Sequence, residues 1–137
     1  EDGGPACVRG RGVVRLLLDT HVFLWWLLGD RRLGAARRRA IAAPDSEVFV
    51  SAASIWEIAI KTAAGKFDPG DVEMPAQVEA AGFRPLDVTG AHAWRSRTLP
   101  PHHRDPFDRI LVAQALVEGL TLATDDAQIH QYAAPVL

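Results

Sequence analysis

Short apolar blocks along the chain stand between Gly, Pro and charged turns, and the spacing inside them switches between strand and helix periods. Residues 13–18 (Val-Val-Arg-Leu-Leu-Leu) are apolar and β-branched at the start, which predicts a buried strand. An apolar, Trp-rich helix follows over 21–28 and stops near Gly29. Asp30 is placed to cap the next helix, which carries an arginine cluster and ends before Pro44. Residues 47–50 predict a second strand. Over 51–64, Ile55, Ile58 and Ala59 recur at helical spacing, with Gly65 as a natural stop. A turn-rich stretch over 67–74 leads to a helix over 75–81, a third strand over 83–86 and a helix over 89–98 capped by Thr89. A polar loop with three prolines and His102-His103 precedes a helix opened by Asp105-Pro106 and closed by Gly119. That helix is apolar on nearly every side beyond its first turn, so it should be deeply buried. A fourth strand over 120–123, a short helix over 127–132 and an edge strand over 135–137 complete the reading. Strands alternating with helices imply an α/β fold, a three-layer α/β/α arrangement around a mainly parallel sheet of four to five short strands.

The 137 residues fit one domain, read as 13–137 behind an N-terminal extension over 1–12 that is rich in Gly and Arg. A formal net charge of −2 gives no global attraction to nucleic acid, so any such contact must rest on local basic patches. Two exist, Arg31, Arg32, Arg37, Arg38 and Arg39, and Arg95, Arg97, Arg104 and Arg109. The single cysteine, Cys7, rules out an internal disulfide and suits a reducing cytoplasm. No apolar stretch approaches the roughly 20 residues that cross a bilayer, so no membrane role is expected. Trp25, Trp26 and Trp56 read as core, although exposure of Trp25 or Trp26 would point to a protein interface. The five histidines have no zinc-site spacing and read as surface residues.

Four acids carry the chemistry. Asp19 ends the first strand, Glu57 follows the second, Asp108 opens the buried helix and Asp126 follows the fourth strand. If the strands are parallel neighbours, the loops at their carboxyl ends bring these acids into one crevice. Clustered carboxylates repel by about 4 kcal/mol per pair at 4 Å and an effective dielectric near 20, so such a cluster makes sense around a hard cation. Each acid also has a plainer role. Asp19 can cap the 21–28 helix, Ser54 and Glu57 fit a capping box, and Asp105 is a good cap in front of Pro106. Either Asp125 or Asp126 can cap the last helix. A phosphatase of the haloacid dehalogenase type would need a second Asp two residues after Asp19, where His21 stands.

The stretches Leu-Leu-Leu-Asp19-Thr-His, Val-Ser-Ala-Ala-Ser-Ile-Trp-Glu57-Ile-Ala-Ile-Lys, His-Arg-Asp-Pro-Phe-Asp108-Arg-Ile-Leu-Val-Ala-Gln-Ala and Leu-Ala-Thr-Asp-Asp126 together resemble the PIN domain. More narrowly they resemble the toxins of VapBC-type toxin–antitoxin pairs, over about 14–137. The resemblance implies a Mg²⁺- or Mn²⁺-dependent endoribonuclease that stops translation, is blocked by a cognate antitoxin, and commonly forms homodimers. It assigns catalysis and metal binding to Asp19, Glu57, Asp108 and Asp126. Thr124 is the companion hydroxyl, and Thr20, Asp105, Arg104 and Arg109 are supporting or substrate-contacting candidates. A non-catalytic RNA- or protein-binding module of the same fold, and a DNA-directed nuclease, are the rival expectations.

Overall fold

The three leucines of β1 (Arg15–Leu18) explain its place in the middle of the sheet. Successive strand side chains point to opposite faces, so Leu16 and Leu18 enter one hydrophobic layer and Leu17 the other, all fully buried. The structure is a computed structural model and describes residues 14–101, 104–132 and 134–137. The expected extension over 1–12 and the pair His102-His103 lie outside the described residues.

β1 leads into α1 (Thr20–Leu28), which Gly29 ends in the left-handed conformation at φ 64°. A single 3₁₀ turn (Arg31–Leu33) and α2 (Ala35–Ala42) follow. β2 (Glu47–Ser51) feeds α3 (Ala52–Ala63), and α4 (Met74–Ala80) precedes β3 (Arg84–Leu86). Next come α5 (Gly90–Arg95), a 3₁₀ turn (Ser96–Thr98), α6 (Pro106–Glu118) and β4 (Thr121–Ala123). All pairings are parallel and the strand order is β3-β2-β1-β4. One layer packs Val22, Phe23, Leu33, Ile41, Ile58 and Val78 on the sheet. The opposite layer packs Leu111, Val112, Ala115 and Ile129. The expected three-layer α/β/α fold is therefore present. After β1 the chain moves to β2 and β3 on one side, while β4 lies on the other, so the order reverses between β1 and β4. Open parallel sheets leave their crevice at the carboxyl ends of the strands flanking such a switch.

Several expected boundaries differ. Asp30 does not cap the arginine-bearing helix. It caps the 3₁₀ turn, accepting from the Arg32 N–H at 2.9 Å, and Gly34 at φ 85° breaks the chain before α2 begins. The capping box at Ser54 is absent, because α3 starts earlier and Ser51 accepts the Ala53 N–H at 3.0 Å. The helix expected over 127–132 is a single 3₁₀ turn (Ile129–Gln131), and the helix over 89–98 is α5 plus its 3₁₀ turn. The C-terminal edge strand reduces to one parallel bridge, Leu122 to Val136, although Leu122 exchanges hydrogen bonds with Pro135 and Leu137 at 2.8 and 2.9 Å.

The surface reading of the histidines fails at His92, which is fully buried. Its Nδ1 accepts the Thr89 N–H at 3.0 Å, which leaves Nε2 to donate to Glu118 at 2.7 Å. α5 is thereby fastened to the end of α6. Trp25 and Trp26 are half-buried against the core, whereas Trp56 is 64% exposed.

Candidate active site

Asp19, Glu57, Asp108 and Asp126 meet in one cleft of about 440 Å³. Its lining comprises Asp19, Thr20, His21, Trp25, Arg32, Glu57, Lys61, Asp105, Asp108, Asp125 and Asp126. It lies where the topology places a crevice, at the carboxyl ends of β1 and β4. Leu18 pairs with Ala123, so Asp19 and Thr124 come side by side, and the Asp19 N–H closes on the Ala123 carbonyl at 3.0 Å.

Asp19 is only 5% exposed. Its Oδ1 accepts the Val22 N–H at 2.8 Å, so it caps α1 while also facing the cleft. Burial raises its carboxyl pKa above the ordinary value. A hydrogen bond from the Thr124 hydroxyl, the Val22 N–H and the nearby charges of His21 and Arg37 act in the opposite direction. Thr124 is itself fully buried and accepts the Asp126 N–H at 3.1 Å, tying the loop after β4 to the Asp19 carboxylate.

Glu57 sits in the second turn of α3 rather than the first. The Thr20 hydroxyl donates to its Oε1 at 2.6 Å, and the Ser54 hydroxyl lies 3.0 Å from the same Thr20 oxygen. Its Oε2 pairs with the Lys61 ammonium at 3.2 Å. Asp105 caps α6, accepting from Phe107 at 2.9 Å, and Asp108 stands in the first turn of that helix. The Asp126 Oδ1 accepts the Gln128 N–H at 2.9 Å. Asp125 reaches Arg37 at 3.2 Å, and the same guanidinium donates to the Thr124, Leu137 and Leu33 main-chain oxygens at 3.0–3.2 Å.

Arg104 and Arg109 do not line this cleft. The Arg109 guanidinium turns instead to the Pro100, Ser96 and Leu99 carbonyls at 3.0–3.2 Å, holding the loop in front of α6. Both arginines border a second groove of about 930 Å³, mostly apolar, whose wall includes Trp56, Ile60, Val88, Phe107 and Ile110. Trp56 and Phe107 meet there edge to face, 5.2 Å between ring centroids. His21, Trp25, Arg32 and Lys61 also line the cleft; the sequence reading placed Arg32 in a basic patch and Trp25 in the core, and it did not single out Lys61. The available signal was Lys61 standing one helical turn beyond Glu57.

Among the described residues, no three Asp, Glu, His or Cys side chains are set to close around an ion. The carboxylates of Asp19, Glu57, Asp105, Asp108, Asp125 and Asp126 are nonetheless the oxygen donors a hard cation takes, in an open cleft rather than a finished cage, with His21, Arg32 and Lys61 beside them.

A sequence model of the PIN domain matches residues 16–135. The chain belongs to the PIN domain family. This PIN domain is 31% identical over 128 residues to Ribonuclease VapC22 of Mycobacterium tuberculosis, spanning 88% of this chain and 95% of that protein. Its fold is similar to a chain of the VapBC2 complex of Rickettsia felis bound to a promoter DNA fragment, with a TM-score of 0.64 and 11% identity, covering 90% of this chain and 98% of that one. A toxin–antitoxin complex from Klebsiella pneumoniae gives a TM-score of 0.62 at 18% identity, covering 89% and 95%. At these identities the structural likeness speaks for the fold. PIN-domain ribonucleases generally use a divalent metal. No helix among the described residues is long and apolar enough to cross a membrane.

Proposed function

We propose that this PIN domain is the toxin of a type II toxin–antitoxin pair, an endoribonuclease that cleaves cellular RNA in the cytoplasm and thereby halts translation and growth. The observation that carries the reading is the convergence of Asp19, Glu57, Asp108 and Asp126, drawn from four separated segments, on one cleft at the sheet's switch point. Identity to a named ribonuclease over nearly the whole chain supports it.

Asp19, Asp108 and Asp126 are the residues that would hold Mg²⁺ or Mn²⁺, completed by water because Mg²⁺ gives up its hydration shell reluctantly. A bound ion would supply Lewis-acid polarisation of the phosphate and a lowered pKa for an attacking water. The chain's own work is positional. Val22 and Thr124 fix the Asp19 carboxylate, Thr20 fixes Glu57, and the α6 cap at Asp105 aims Asp108 at the cleft. The same acidic cleft is suited to capture by a cationic antitoxin segment, which explains neutralisation by occupation of the site. Complexes of toxin and antitoxin among the structural neighbours support a partner of this kind. The apolar groove beside the cleft, with Trp56 and Ile60 exposed, suits burial between two copies of the chain. Sedimentation should therefore give a dimer that Trp56→Asp converts to monomer, and a wild-type monomer contradicts the assembly.

The deciding experiment compares purified protein on RNA, single-stranded DNA and a small phosphate ester, with Mn²⁺ and with EDTA. RNA cleavage that EDTA abolishes is the expected result. Preference for DNA turns the reading to a DNA nuclease, and no cleavage of any substrate leaves a binding module.

A further inference from the structure

Two cations line the acidic cleft, and they differ in how they are held. Arg32 is 71% exposed in its side chain and is committed to Asp30, at 2.7 Å between Nη2 and Oδ2. Its guanidinium also stacks over the Trp25 ring at 5.3 Å. That arrangement commits Arg32 to a carboxylate outside the cleft lining. Lys61 is held by a carboxylate inside it.

The Glu57–Lys61 pair is an i,i+4 pair on α3, and on an open helix surface such a pair contributes only about 0.3–0.5 kcal/mol. Its surroundings here are not those of a surface pair. The Glu57 side chain is 10% exposed, its Oε1 is taken by the Thr20 hydroxyl, and Thr20 in turn meets the buried Ser54. The Lys61 side chain is 42% exposed. The carboxylate thus forms the rigid inner end of the pair and the ammonium its outer end. An ammonium has three N–H donors, and one contact to Glu57 Oε2 leaves further donors to turn toward the cleft.

An anion entering this cleft meets a surplus of carboxylates, so a fixed positive charge among them decides whether a phosphate can settle there. Lysine serves as such a compact point charge for phosphate. Glu57, with both oxygens already engaged, is suited to orient that charge. We infer that Lys61 binds the RNA phosphate in the cleft and that Glu57, fixed by Thr20, positions its ammonium. This rests on the ribonuclease reading above.

The test uses Lys61→Ala, Lys61→Arg and Glu57→Gln in the full chain. Binding of a labelled single-stranded RNA oligonucleotide is measured in EDTA across salt, and cleavage is measured across Mn²⁺ concentration. Lys61→Ala should reduce the slope of log affinity against log salt by about 0.7, the loss of one phosphate contact on a single strand. It should also lower kcat/KM about 100-fold with the Mn²⁺ half-saturation unchanged, while Lys61→Arg recovers most of both. Glu57→Gln should lower kcat/KM less when Lys61 is already alanine than in the otherwise wild-type chain, because its effect runs through the ammonium. A Lys61→Ala protein with wild-type salt slope and cleavage overturns the inference, as does a Glu57→Gln change that costs as much in the Lys61→Ala chain as in the wild type. A wild-type protein that binds RNA without cleaving it removes the ribonuclease reading, and the salt slope still judges Lys61. One that neither binds nor cleaves overturns both.

Discussion

Asp108→Asn is expected to lower RNA cleavage by about 10³-fold while the protein stays folded. The substitution keeps the shape of the side chain and removes its charge. Asp108 lies in the first turn of α6, where a carboxylate gains about 0.3–1 kcal/mol from the helix dipole, and the substitution gives up that contribution. The helix start itself does not depend on it, because Asp105 supplies the cap and Pro106 the first helical position. What the variant removes is one of the charges facing the cleft. Initial cleavage rates alongside a thermal melt separate the two effects. A fully active Asp108→Asn enzyme removes the residue from the site, and an unfolded one gives it a structural role instead.

Asp19→Asn should abolish cleavage as well, yet make the protein more stable at neutral pH. Burial dominates the Asp19 environment and lifts its folded carboxyl pKa above the ordinary 3.8, so the folded state holds this proton more tightly than the unfolded chain. With more protons bound in the folded state, stability falls as pH rises from the unfolded value through the folded one. Above that window the whole cost of the buried charge is present. Asparagine caps helices about as well as aspartate, so it removes the charge without giving up the start of α1. In EDTA, a gain of about 1 kcal/mol would raise the melting temperature by about 4 °C at pH 7. The difference from wild type should shrink as pH falls toward 4. An Asp19→Asn protein that melts lower than wild type at pH 7, or whose gain persists unchanged in acid, contradicts this origin. Active sites are where such destabilising groups are retained.

Much of the fold was readable because its signals are local. The strand leucines of β1, the αL glycines Gly29 and Gly119 and the Asp105-Pro106 start all declare themselves within a few residues. The four acids were readable for the same reason, each lying at or near the end of an apolar block. Other features depend on distant partners. Ser51 and Ser54 are both competent caps, and the choice between them is made by where β2 releases the chain. His92 can be buried because Glu118, on another helix, accepts a hydrogen bond from its Nε2. The exposure of Trp56 could not be foreseen, since α3 is apolar on more than one face and periodicity does not say which face meets the sheet. Arg109 read as a substrate contact, and its hydrogen bonds to the loop carbonyls of Ser96, Leu99 and Pro100 were not legible from its place in the chain. Lys61 stood in plain view, but helical Glu–Lys pairs are common on surfaces, and only the buried Thr20–Glu57 contact sets this one apart.

Calorimetric titration of Mn²⁺ into metal-stripped protein bears most directly on the claim that these separated acids form one cation site. Saturable binding that Asp19→Asn and Asp108→Asn each weaken by at least about tenfold is the expected result. Equal binding by wild type and both variants would mean that the two carboxylates share a cleft without sharing an ion.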